Sequence, residues 1–142
     1  MILSNQQINS YKQDGAIVIR DIFKPWINHL REGFEKVLKN PGPHARENTN
    51  SNESGRFFED YCNWDRIPEF KKFAKESPAA QIIGEATDSK SIQIFHDHIF
   101  VKEPSTSKPT PWHQDMPYYC VDGEDTGSYW IPLDEVNKEN TL

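Results

Sequence analysis

The feature that most constrains this chain is a change of period near Ser91. Upstream, apolar residues recur at helical spacing. Trp26, Ile27, Leu30, Phe34, Val37 and Leu38 share a face of a predicted helix over residues 24–40, with Pro25 in its first turn and Pro41 beyond its end. Downstream the period is two. In "SIQIFHDHIFVKEP", Ile92, Ile94, His96, His98, Phe100 and Lys102 alternate with Gln93, Phe95, Asp97, Ile99 and Val101, so that each set lines one face of a strand. Helices first and antiparallel-type strands after predict an α+β fold.

The remaining punctuation fits that order. Residues 4–15 read as a short helix with Ser4 as N-cap and Gly15 as its stop, and "AIVIRDIF" reads as a strand. Residues 40–55 are rich in Pro, Gly, Asn and Ser and read as a loop that leaves His44 in solvent. Helices are expected from Ile67 and again after Ser77-Pro78, and extended stretches at "WHQDMPYY" and "SYWIPLDEV". His29 falls on the second helix as a surface or packing residue.

Composition narrows the function. The hydrophobic share is 35% and the net charge is −6, which disfavours nucleic acid, since that affinity rests on basic residues at phosphates. No apolar run is long enough to span a membrane, and the N-terminus lacks the pattern of a secretory signal. Cys62 and Cys120 form no CxxC motif and read as reduced structural thiols of a cytoplasmic protein, with a single disulfide between them as the alternative.

The chemistry concentrates at "PWHQD". In a strand, His113 and Asp115 point to the same side about 6.5–7 Å apart along the chain, with Gln114 turned away. An imidazole and a carboxylate so placed are two parts of the 2-His-1-carboxylate set of non-heme iron oxygenases. On spacing alone the pair stays open between a metal site and an ordinary strand pair. Pro117 should end regular pairing just beyond it. "HDH" offers a rival metal pair in His96 and His98, or else packing and hydrogen-bonding residues. Trp112, Tyr118 and Tyr119 fit a substrate pocket and core packing equally well. Lys102 fits an anion contact or a solvated strand end.

Together, "DGAIVIRDIF", "HDHIFVKEPSTSKPTPWHQDMPYY" and "SYWIPLDEVNKENTL" resemble the phytanoyl-CoA dioxygenase family over about residues 11–142. The resemblance implies a single domain over residues 1–142, with N-terminal helices packed on the first strands of a double-stranded β-helix (jelly roll). It implies an Fe(II)- and 2-oxoglutarate-dependent oxygenase that uses O2 to hydroxylate a small-molecule substrate. His113 and Asp115 then bind iron, His98 and Trp130 line the 2-oxoglutarate site, and Arg56 is the basic residue that contributes to it. The second histidine and the arginine that complete the family's site have no counterpart here, and Thr141 stands where a glycine is expected. The chain is therefore expected to be the N-terminal portion of a longer enzyme. Pairing with a second chain, or a non-catalytic jelly-roll binding or scaffold module, are the alternatives.

Overall fold

The computed structural model describes residues 1–140 except Glu53 and Glu124, so Thr141 lies outside the described residues. Four helices, α1 (Asn5–Asp14), α2 (Ile27–Lys39), α3 (Pro68–Glu76) and α4 (Ala79–Thr87), accompany three strands, β1 (Arg46–Glu47), β2 (Phe57–Tyr61) and β3 (His98–Lys102). The strands form one antiparallel sheet in the order β1-β2-β3. The α+β expectation holds at this level. None of the described helices is long and apolar enough to cross a membrane.

Local chemistry accounts for the helix ends. Ser4 and Gln7 form a reciprocal capping box, and Gly15 closes α1 at φ 74°, a left-handed turn for which glycine carries no Cβ penalty. A 3-10 turn over Lys24–Trp26, with Pro25 inside it, leads into α2. The Ser77 hydroxyl accepts from the Ala79 amide at 3.3 Å where α4 begins.

Two apolar clusters hold these elements. Leu30, Val37, Phe58, Ile67 and Phe70 join α2 and α3 to the inner face of the sheet. Leu3, Phe23, Ile82 and Ala86 join the N-terminal segment to α4. Tyr129 links the second cluster to the C-terminal segment. Its ring meets Phe23 edge-on at 5.3 Å and its hydroxyl donates to the Ala79 carbonyl at 2.7 Å. Beneath β2 the fully buried Asp60 accepts from the Gly42 amide (2.7 Å) and the Tyr61 amide (2.8 Å), with Arg66 at 3.6 Å. A buried carboxylate is tolerated only when so satisfied. Here it ties the loop before β1 and the turn after β2 to the sheet.

Several expected strands are not strands. Residues 16–23, 112–119 and 128–136 lie outside any ladder, and the strand expected over 91–104 contracts to β3. Conversely, the expected loop at 40–55 contains β1, and β2 arises from a segment read only as mixed aromatic and charged. The alternation itself survives. Ile17 and Ile19 are half-buried while Val18 is exposed, and Tyr129 and Ile131 are half-buried while Trp130 is exposed. Period two reports how side chains divide between core and solvent, whereas a ladder also needs a partner backbone. No described segment pairs with these three.

Two outcomes follow. A Cβ at Gly33 would lie 2.6 Å from Phe70 Cε1, and Phe70 is buried between α2 and α3. Gly33→Ala should therefore destabilise the fold by about 1–2 kcal/mol in urea unfolding, overpacking outweighing the gain in helix propensity. Glu85 accepts from the amides of Ile2 and Leu3 and from Gln81. Leu3's amide foremost, then Gln81, holds its carboxyl below the ordinary 4.5. In that window the unfolded chain binds the extra proton, so the stabilisation is complete above about pH 4.5 and fades as pH falls through the lowered value. Glu85→Gln should lower the urea midpoint at pH 7, and the gap to wild type should close in acid.

Candidate metal centre

The register of β2 on β3 divides the sheet into two faces. Phe58 opposite Val101 and Asp60 opposite Ile99 turn towards the helices. Phe57 opposite Lys102, Glu59 opposite Phe100, and Tyr61 opposite His98 turn the other way. On this open face the Tyr61 and His98 rings stack at 3.9 Å and 16°. Glu59, diagonal to His98, brings Oε2 to 3.4 Å from its Nε2. Burial pushes the His98 pKa down, and Glu59 partly opposes that shift. Just before the strand, His96 stacks on Tyr61 at 6.1 Å and meets Tyr119 edge-on at 5.3 Å. Asp97, between the two histidines, takes the other side. Its Oδ1 accepts from the Trp64 amide at 2.6 Å, its carbonyl accepts from the Cys62 amide at 3.0 Å, and burial raises its pKa.

His113 and Asp115 reach the same neighbourhood on a coil rather than a strand. Asp115 leads into a 3-10 turn over Met116–Tyr118, in which the Tyr118 amide donates to the Asp115 carbonyl at 2.9 Å. The turn swings half-buried Tyr119 back against Phe95 and His96. Burial, then the nearby Asp115 carboxylate, raise the Tyr119 pKa. The HxD segment thus lies against the segment that leads into β3.

The two site side chains meet. His113 Nε2 is 3.3 Å from Asp115 Oδ1, and His113 Nδ1 is 2.8 Å from the Pro111 carbonyl oxygen. A carbonyl only accepts, so Nδ1 carries the proton. In the neutral ring Nε2 then points a lone pair at a carboxylate oxygen. Such a pair of acceptors attracts only with a proton or a metal ion between or beside them. Donors bound to one divalent ion at about 2.0–2.2 Å, as imidazole and carboxylate bind zinc, lie about 3.0–3.5 Å apart. The observed separation falls inside that range, and both side chains are open to solvent. The pair fits as two adjacent ligands. Among the described residues, no group of three His, Cys, Asp or Glu side chains gathers around one point.

The other expected positions divide. His98 sits on the open face beside Tyr61, as above. Arg56 lies on the opposite face, its guanidinium 4.5 Å from the Phe58 ring centroid and its Nε 2.7 Å from Glu47 Oε2. It is also about 16 Å along β2 from Tyr61, at about 3.3 Å per residue. Trp130 is 47% exposed, and no hydrogen bond or ring contact among the described residues ties it to the histidines. Lys102 lies over the Phe57 ring at 5.1 Å. Trp112 and Tyr118 are exposed, so Tyr119 is the aromatic of that segment that packs. His29 packs edge-on against Trp26, and His44 is exposed. Cys62 and Cys120 are free thiols.

Sequence reasoning missed Glu59 and Tyr61. The signal was present in "RFFEDY", whose alternation places Phe57, Glu59 and Tyr61 together. A cavity of about 190 Å³ opens beside Glu59, between Phe57 and Glu59 on the sheet and the 108–111 segment that leads to His113.

Comparison with known proteins agrees with the motif. The family model described as phytanoyl-CoA dioxygenase (PhyH) matches residues 11–141, and the chain belongs to that family. The activity of the family in general is Fe(II)- and 2-oxoglutarate-dependent oxygenation. No curated protein and no solved structure matches the chain.

Proposed function

We propose that this chain carries the iron-binding front of a 2-oxoglutarate-dependent dioxygenase that hydroxylates an unactivated C–H bond of a small-molecule substrate. The single observation that carries the reading is the His113–Asp115 pair, with Nδ1 held by Pro111 and Nε2 3.3 Å from the carboxylate. His113 and Asp115 are the iron ligands, and further donors complete the set. Bound Fe(II) with 2-oxoglutarate supplies the activation of O2 that oxidises the substrate. The chain's own residues do the positioning. Pro111 fixes the His113 tautomer and so presents a lone pair for ligation. Tyr119 confines the Asp115 carboxylate. His98 flanks the 2-oxoglutarate site from the open face of the sheet.

The cavity between Phe57, Glu59 and residues 108–111 suits a small substrate. Trp130 and Arg56 keep their proposed co-substrate roles only if they approach in the loaded protein, since Arg56 is engaged by Glu47 and Trp130 lies apart. The domain is read as the N-terminal part of a jelly roll working in the cytoplasm, where free Cys62 and Cys120 stay reduced. A non-catalytic binding or scaffold module is the second reading, favoured by the fact that two donors rather than three converge among the described residues.

Mn(II) binding by the native gene product, together with iron-dependent conversion of 2-oxoglutarate to succinate, separates these readings. His113→Ala should weaken Mn(II) at least about tenfold, the lower end of what even supporting residues contribute at metal sites, and abolish succinate formation. Unchanged Mn(II) affinity in His113→Ala would sink the iron assignment. Metal binding without succinate would leave the scaffold.

A further inference from the structure

Two of the three histidines of this region, His98 and His113, turn opposite ring nitrogens to their nearest protein acceptor. His113 gives Nδ1 to a carbonyl and keeps Nε2 as an acceptor. His98 turns Nε2 towards Glu59 Oε2 at 3.4 Å. A neutral imidazole has one N–H, and beside a carboxylate oxygen that proton belongs on the nearer nitrogen, because a lone pair there would face another lone pair. We infer that Glu59 is a positioning residue that fixes His98 as its Nε2–H tautomer and leaves Nδ1 as the acceptor offered to whatever occupies the open face. As a statement about the 2-oxoglutarate site, this rests on the function proposed above.

The surroundings are built for that task. Antiparallel pairing sets Tyr61 directly opposite His98, and the rings stack at 3.9 Å, which limits rotation of the imidazole out of its plane. Phe100 closes on the same ring at 5.5 Å. The Glu59 side chain is only 16% exposed while His98 is 35% exposed, so the orienting group is inside and the oriented ring is reachable. Tyr61 shares Glu59, whose carboxylate raises the phenol's pKa after burial does so. No protein donor among the described residues reaches His98 Nδ1. Nδ1 therefore offers its lone pair to a partner that brings a hydrogen-bond donor or a cation. A water or a hydroxyl does so, whereas a bare carboxylate does not.

Ring ¹H–¹⁵N correlation spectra of the metal-free full chain at pH 8 test this without any turnover. Wild-type His98 should be the Nε2–H tautomer. Glu59→Leu should convert it to a tautomer mixture, and Glu59→Gln, which keeps an acceptor oxygen, should restore it. A wild-type His98 in the Nδ1–H form, or a ring unaffected by Glu59→Leu, overturns the inference. In the iron-loaded protein, Glu59→Leu should raise the KM for 2-oxoglutarate several-fold with a smaller change in kcat. A shifted tautomer with an unchanged KM would uphold the role of Glu59 and remove His98 from the co-substrate site. Absence of wild-type succinate formation would overturn the proposed function and leave the tautomer result standing.

Discussion

The antiparallel pairing of β2 with β3 is the constraint on which the rest depends. Five cross-strand pairs set Phe58, Asp60, Ile99 and Val101 against the helices, and by the same act set Glu59, Tyr61 and His98 outward. A slip of one residue would exchange those sets, burying Glu59 and His98 and exposing Phe58 and Val101. Burial of Phe58 with Val37 and Phe70 makes that slip costly, so apolar packing on one face determines which polar groups appear on the other. The core and the site are two sides of one register.

Around that register, polar interactions act as ties rather than as the main source of stability. Asp60 gathers two backbone amides and Arg66 beneath β2, while Asp97 accepts from Trp64. Asp60 satisfies both ends of its buried carboxylate, Asp97 is held through Oδ1 while its buried Oδ2 has no hydrogen-bond partner among the described residues, and each joins segments distant in sequence. Asp97 has a particular consequence. By facing inward it leaves His96 and His98 on the outer side, where Tyr61 and Tyr119 pack on them. The 3-10 turn after Asp115 completes the arrangement by returning Tyr119 to His96.

Much of this was legible from the residues. The capping residues of α1, the apolar stripe of α2 and the proline-led starts of α3 and α4 are local signals, set by neighbours within a few positions. The HxD pair was legible as chemistry, and membership of the phytanoyl-CoA dioxygenase family agrees with it. Pairing was less legible. "AIVIRDIF" and "SYWIPLDEV" carry strand-like alternation, yet they dock Ile17, Ile19, Tyr129 and Ile131 on the helical core without joining a ladder. "FFEDY" looked mixed because only one of its faces packs on the helices, with Glu59 on the open face where a sheet buried on both sides would carry an apolar residue.

Sequence by itself determined the elements whose causes are local: helix ends, apolar stripes, and the type and spacing of the donors at His113 and Asp115. Only the tertiary structure decided which faces share a space. It placed Glu59 beside His98, set Arg56 on the far face against Glu47, and turned His113 so that Pro111 holds one nitrogen and Asp115 faces the other. The physical reason is range. Capping and periodicity are satisfied within one turn or one strand. Cross-strand register and ring tautomer depend on backbone and charge brought from tens of residues away, which no local pattern encodes.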